Sequence, residues 1–331
     1  VLSALVCLIA SILPQDPSAQ RPALREPQKL LTRVAVIGAS VADGKGLETE
    51  VGARTAFAEL VHASLRSAHE NPIDLAAPRA WIQFDSNLRQ WTAGAVARKA
   101  TLVIAPDVLW WAAIAPAAER EGRISRSLSA LERIDVPLLL GDLPDMAHLA
   151  TALKTDFSLS VGQLPTPEEL LALRQRLEGW SKPRGNVVLV PLARWHAAAL
   201  AGQRIELRGN AFAAEESRRL VQTDRFHPSL DGSLLFLVSA WDELAKAWPG
   251  APLDGVDWSI ASTRQRLMEQ KSADRAEESA RRRRLEDSGR TPPAPAPEPL
   301  PPEKQPHRRA RGGGEGGGDG GGGEKGGRGG G

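Results

Sequence analysis

The sequence predicts a three-layer α/β/α sandwich built on a mainly five-stranded parallel sheet. Short apolar runs bounded by Gly, Pro or Asp recur between about Leu31 and Pro249. Longer stretches whose apolar residues repeat at helical spacing separate them. That alternation marks repeated βα units, whose crossovers leave neighbouring strands parallel.

Strands are expected at Arg33–Ile37, Ala80–Phe84, Thr101–Ala105, Val136–Leu140 and Val187–Val190, each short and closed by a turn residue. Between them Phe57, Leu60, Val61 and Leu65 share one helical face, as do Leu170, Leu173 and Leu177, and Leu234–Trp248 forms an apolar final helix. Such stripes let helices cover both faces of the sheet. An open sheet of this kind takes ligands beyond the carboxyl ends of its strands, so the residues after each strand hold the candidates for chemistry.

The ends of the chain differ from this middle. Val1–Leu13 is an apolar run of signal-peptide length, too short to cross a bilayer comfortably. The expected organisation is a signal peptide over 1–19, a linker over 20–30, a folded domain over 31–250, a charged helical extension over 251–275 and a disordered Pro- and Gly-rich tail over 276–331. From about Arg264 the apolar content falls too low to bury a core. Arg281–Arg284 stand beside several acids and read as a solvated face. Export to a periplasm, cell envelope or extracellular space follows, with no transmembrane anchor in the mature protein. Cys7, the single cysteine, lies in the apolar run, so no disulfide is expected after export. A formal charge of +2, with acids and bases interspersed, gives no argument for nucleic acid. The composition names no partner for the tail.

The first strand runs into Gly38-Ala39-Ser40-Val41-Ala42-Asp43-Gly44-Lys45-Gly46. Glycines beside a serine allow a tight turn and let backbone N–H groups converge on a developing negative charge, the electrostatic requirement of acyl transfer. A Walker A loop is excluded, because five residues separate Gly38 from Gly44 and Gly46 follows Lys45. A dinucleotide fingerprint lacks its third glycine, and an α/β-hydrolase elbow would need glycine where Ala42 stands.

A second segment, Thr223-Asp224-Arg225-Phe226-His227-Pro228, follows the fifth strand and precedes the last helix. A carboxylate three residues before a histidine can reach its Nδ1–H, leaving Nε2 to accept a serine proton. Pro228 restricts the backbone of His227. Both segments fall at the same edge of the sheet.

This pairing and order resemble the SGNH/GDSL hydrolase family, over about Arg33 to Trp248. The resemblance implies a flavodoxin-like sheet of the SGNH type, Ser40 as nucleophile, His227 as general base and then acid, and Asp224 as the residue that orients it, with an acyl-enzyme intermediate. Ala39 stands where many members have Asp, and no Gly-x-Asn-Asp block follows the third strand. Candidates for the oxyanion hole are the Ser40 N–H, Asn87, Gly94 and Asp107. Asp107 holds the place of the oxyanion Asn, where an ionised carboxylate would repel the oxyanion; it would have to be protonated, orient something else, or simply cap a helix.

Pocket candidates are Trp110 and Trp111, which with Trp195 would form an aromatic platform for a sugar, and Asp142 or Asp145 after the fourth strand. The histidines at 62, 69, 148, 196 and 307 show no metal-binding spacing, so neither a metal nor a cofactor is expected. The sequence thus reads as an exported hydrolase of a carboxylic ester, such as an acylated carbohydrate or lipid. The alternative is a non-catalytic domain of the same fold that binds a glycan or protein partner at the cell envelope.

Overall fold

The computed structural model describes residues 23–24, 26–78, 80–149 and 161–287. The apolar run Val1–Leu13 and the stretch after Asp287 lie outside them. Among the described residues, those up to Glu278 belong to one compact unit. No helix among the described residues is long and apolar enough to cross a membrane.

The sheet holds β1 (Val34–Val36), β2 (Ile73–Asp74), β3 (Leu102–Ala105), β4 (Leu138–Gly141) and β5 (Val187–Val190), all parallel, in the order β2-β1-β3-β4-β5. Ala35 pairs with Ile73 on one side and Val103 on the other. Every residue of β1, β3 and β4 is buried, as interior strands covered on both faces must be. Four of the expected strands therefore appear with only their ends adjusted.

The expected strand Ala80–Phe84 is corrected. Ala80–Gln83 is a 3-10 turn that leads into a helix, and the edge strand is instead Ile73–Asp74. Phe84, Leu88, Trp91, Thr92 and Ala95 are the buried residues of that helix, so Phe84 opens a helical stripe and does not close a strand. The true edge strand has two residues, one half-buried and one exposed, and leaves no apolar run to be read.

The helices are α1 (Glu48–Val51), α2 (Phe57–Ser64), α3 (Phe84–Ala97), α4 (Val108–Ala113), α5 (Ala117–Leu131), α6 (Pro167–Ser181), α7 (Leu192–Ala201), α8 (Ala214–Arg218), α9 (Leu230–Ala247) and α10 (Ile260–Asp287). A small antiparallel hairpin, β6 (Ile205–Leu207) and β7 (Asn210–Phe212), follows α7. The chain reverses direction along the sheet after β2, so right-handed crossovers place α2 on one face and α3, α5 and α6 on the other. α9 joins α2, with the rings of Phe57 and Phe236 edge-on at 5.4 Å. On the opposite face the Arg123 guanidinium of α5 lies 4.5 Å from the Phe84 ring centre.

α10 continues to Asp287, past the expected limit of 275 for the helical extension and into residues expected to belong to the tail. No Gly or Pro interrupts it, and Ala, Arg, Glu, Gln and Lys are strong helix formers. Its first half is held by the fully buried Leu267 and by two donors to backbone carbonyls, Arg266 Nε to Ala63 and Lys271 Nζ to Arg54, both at 2.8 Å. Truncating Leu267 to Ala is expected to cost about 2–5 kcal/mol in urea unfolding. Arg281→Ala, on the exposed part of the helix, should stay within about 0.5 kcal/mol of the parent.

Candidate active site

The sheet order reverses between β1 and β3, which opens a crevice at their carboxyl ends. Ser40 follows β1 and Asp107 follows β3, so both stand at that crevice. The backbone at Gly38 has φ +147°, and a Cβ there would lie 2.2 Å from Asp107 Oδ1. Glycine is needed both for the conformation and for the approach of the carboxylate.

Asp107 grips the turn on both sides of the serine. Ala39 N–H donates to Oδ1 at 2.9 Å and Val41 N–H to Oδ2 at 2.8 Å. The indole N–H of Trp111 donates to Oδ2 at 3.2 Å. Burial pushes the carboxyl pKa up, while the three donors and the nearby His227 pull it back. Asp107 is completely buried and accepts in every one of these bonds. Its expected place as an oxyanion donor is thereby corrected: it orients the serine turn. It stands at the N-cap position of α4 without capping the helix through its side chain.

The second segment forms a tight loop before α9. Asp224 Oδ1 accepts the N–H groups of Phe226 and His227 at 2.9 and 3.0 Å, and Oδ2 accepts Nδ1–H of His227 at 2.5 Å. Burial would raise the Asp224 pKa, but the hydrogen bond and charge of His227 and the two N–H groups bring it down to about 2. Because an ionised carboxylate only accepts, the proton of the imidazole sits on Nδ1. Nε2 then lies 2.8 Å from Ser40 Oγ, where a neutral imidazole accepts the hydroxyl's hydrogen bond. Ser40 is 1% exposed and His227 fully buried, whereas the Asp224 side chain is 22% exposed. Among the described residues no hydrogen bond takes the Ser40 N–H.

The structure brings Ser40, Asp224 and His227 together and draws Asp107 to the same place. The other expected residues lie elsewhere or serve otherwise. Asn87 and Gly94 are within α3, where backbone N–H groups enter the helical ladder; a Cβ on Gly94 would meet Leu75 at 3.1 Å. Trp110 and Trp111 are 2% and 1% exposed, and the Trp110 indole donates to the Asp142 carbonyl at 2.9 Å. Trp195 is also buried and donates to Ser239 Oγ at 2.8 Å. The sugar platform expected of these three is therefore corrected to interior packing. The rings of Trp110 and Trp111 meet the acid–base loop: Phe226 lies 5.4 Å from Trp110, 5.9 Å from Trp111 and 4.8 Å from His227. Asp142 accepts the Ala193 N–H at the start of α7 at 2.6 Å, and Asp145 accepts the Ala147 N–H at 2.8 Å in an exposed turn.

Two contacts across the site had no signal in the sequence. Glu50 Oε1 accepts the Leu230 N–H at 3.0 Å, which ties α1 to the start of α9. Gln222 bridges the two loops. Both are single polar residues outside any motif.

No family model matches the chain, and no curated protein matches it. Solved structures match part of it. The lipase/acylhydrolase from Enterococcus faecalis is 12% identical, with 65% of this chain and 96% of that chain covered and a TM-score of 0.39. TesA is 16% identical, with 65% and 99% covered and a TM-score of 0.40. The lipase Lip_vut3 from a goat rumen metagenome is 12% identical, with 66% and 98% covered and a TM-score of 0.36.

Two predictions concern the buried Asp107 and the half-buried Asp142. Asp107→Ala leaves three buried N–H groups without their acceptor, each worth about 1–3 kcal/mol, so urea unfolding should show a loss of about 3 kcal/mol or more, with Asp107→Asn losing less. Asp142 has its pKa raised to about 6, chiefly by burial, against the N–H groups that lower it. The fold thus favours its protonated form, and stability should fall as pH rises from about 4 to 6. Asp142→Asn, which keeps an acceptor for Ala193, should remove that slope, visible as a difference from the parent that grows across this window and stays level above it.

Proposed function

We propose that this chain is a serine hydrolase of the SGNH/GDSL type that cleaves a carboxylic ester through an acyl-enzyme on Ser40. The observation that carries the reading is the continuous hydrogen-bonded series from Ser40 Oγ through His227 to Asp224. In the first half-reaction His227 Nε2 takes the hydroxyl proton as Oγ attacks the ester carbonyl. The imidazolium then gives that proton to the departing alkoxide, and the alcohol leaves. Water, deprotonated by the same Nε2, attacks the acyl group; collapse returns the proton to Ser40 and frees the acid. Asp224, with a pKa of about 2, remains ionised throughout and keeps the imidazole in the required tautomer.

The Ser40 N–H supplies a donor for the oxyanion. Asp107 supplies none, and losing one such donor typically costs about a hundredfold to a thousandfold in turnover. A slow enzyme is therefore expected. The substrate class, an acylated carbohydrate or lipid, and the export of the chain from its apolar Val1–Leu13 run belong to the same proposal, whereas the expected domain end near residue 250 is corrected to one beyond α10's first half, since Leu267 is buried in the core.

Two observations favour a second reading, a non-catalytic domain that binds a glycan or protein partner. Ser40 is 1% exposed, and a carboxylate stands where the family's Asn would donate. A fluorophosphonate probe and an activated short-chain ester separate the two. Turnover and labelling that Ser40→Ala abolishes support the hydrolase; a parent protein with neither supports the binding domain. In the hydrolase case Asp224→Asn should lower kcat by on the order of 10⁴-fold, through loss of the correct tautomer.

A further inference from the structure

Gln222 belongs to no motif, yet it ties the loop of Ser40 to the loop of His227. Its backbone N–H donates to the His227 carbonyl at 2.8 Å, and its own carbonyl accepts the Arg225 N–H at 2.9 Å. Residue 222 therefore closes the acid–base loop from within. Its side-chain amide makes two further bonds, Nε2 to the Lys45 carbonyl and to the Pro228 carbonyl, each at 2.8 Å. Lys45 N–H in turn donates to the Ser40 carbonyl at 2.8 Å. One amide group thus stands a single backbone bond from the serine's residue and directly on the residue after the histidine.

The surroundings fit this amide closely. Gly46 has φ +84°, and a Cβ there would fall 2.1 Å from Gln222 Oε1. The two carbonyls consume both amide hydrogens, so the position requires two donors on one atom. Glutamate would set a carboxylate against two carbonyl oxygens, and methionine would fill the space with no donor.

We infer that Gln222 is a positioning residue that sets the separation of Ser40 Oγ and His227 Nε2 by holding the Lys45 and Pro228 carbonyls together. This rests on the Ser40–His227 pair proposed above. Its side chain reaches both the residue after His227 and the turn that starts at Ser40, whereas Glu50 bonds two residues further along, at Leu230.

The test uses the full chain with Gln222→Met and Gln222→Glu. The readouts are kcat and KM on an activated short-chain ester, the rate of fluorophosphonate labelling, thermal unfolding, and the imidazole ¹⁵N shifts of His227. Misplacement by about an ångström costs on the order of 100-fold. Both kcat and the labelling rate should therefore fall by about that factor, with KM changed by less than about threefold. The His227 shifts should move toward those of Ser40→Ala, where the partner of Nε2 is gone. Folded Gln222→Met with parental kcat and parental His227 shifts would overturn the inference. If Gln222→Glu fails to fold, Gln222→Met decides. If the parent protein has no esterase activity, the hydrolase reading fails, and the His227 shifts alone decide this one: movement toward Ser40→Ala supports it, and parental values overturn it.

Discussion

Ser40 stands where it does because a buried carboxylate holds the backbone on either side of it. Asp107 takes the N–H groups of Ala39 and Val41 in its two oxygens and the Trp111 indole in addition. Burying a carboxylate costs several kcal/mol, and three converging donors offset part of that cost. The arrangement depends on β1 and β3 being neighbours, since only then do the loops after them leave the sheet side by side. It also depends on Gly38, whose missing Cβ is the space that the carboxylate enters.

The acid–base half is built by a different principle. Asp224 satisfies its oxygens almost entirely within its own loop, on the N–H groups of residues two and three further on and on the imidazole between them. Arg225 takes up a left-handed backbone, φ 59°, to let the loop turn back on itself. Phe226 then packs between His227 and the rings of Trp110 and Trp111. Trp111 joins the halves, since it hydrogen-bonds Asp107 and packs on Phe226. The tryptophans after β3 thus form the rear wall of the site, not a surface for ligand.

These two halves place opposite demands on their carboxylates. For Asp224 burial also works against the charge, but His227 and the two N–H groups outweigh it and the pKa falls to about 2. Asp107 lies in the interior, where burial works against the charge and donors must compensate. One acid orients an imidazole and the other orients a turn, although each appears in the sequence simply as an Asp.

The interior strands were legible because strands covered on both faces are apolar at every position, as Val34–Val36 and Leu102–Ala105 are. The edge strand Ile73–Asp74 was not, since it is short and partly exposed. Nor could Ala80–Phe84 be told from a strand until the helical stripe that begins at Phe84 was seen buried. By itself the sequence determined the βα alternation, the serine turn and the Asp-x-x-His loop, because each is a local pattern governed by neighbouring residues. Only the tertiary structure decided that Asp107 grips the serine turn, that the tryptophans face inward and that Gln222 joins the loops. The hydrogen bonds of Asp107 to Val41 and of Gln222 to Lys45 link residues 66 and 177 positions apart, and such pairings arise from strand order and packing, which no local spacing encodes.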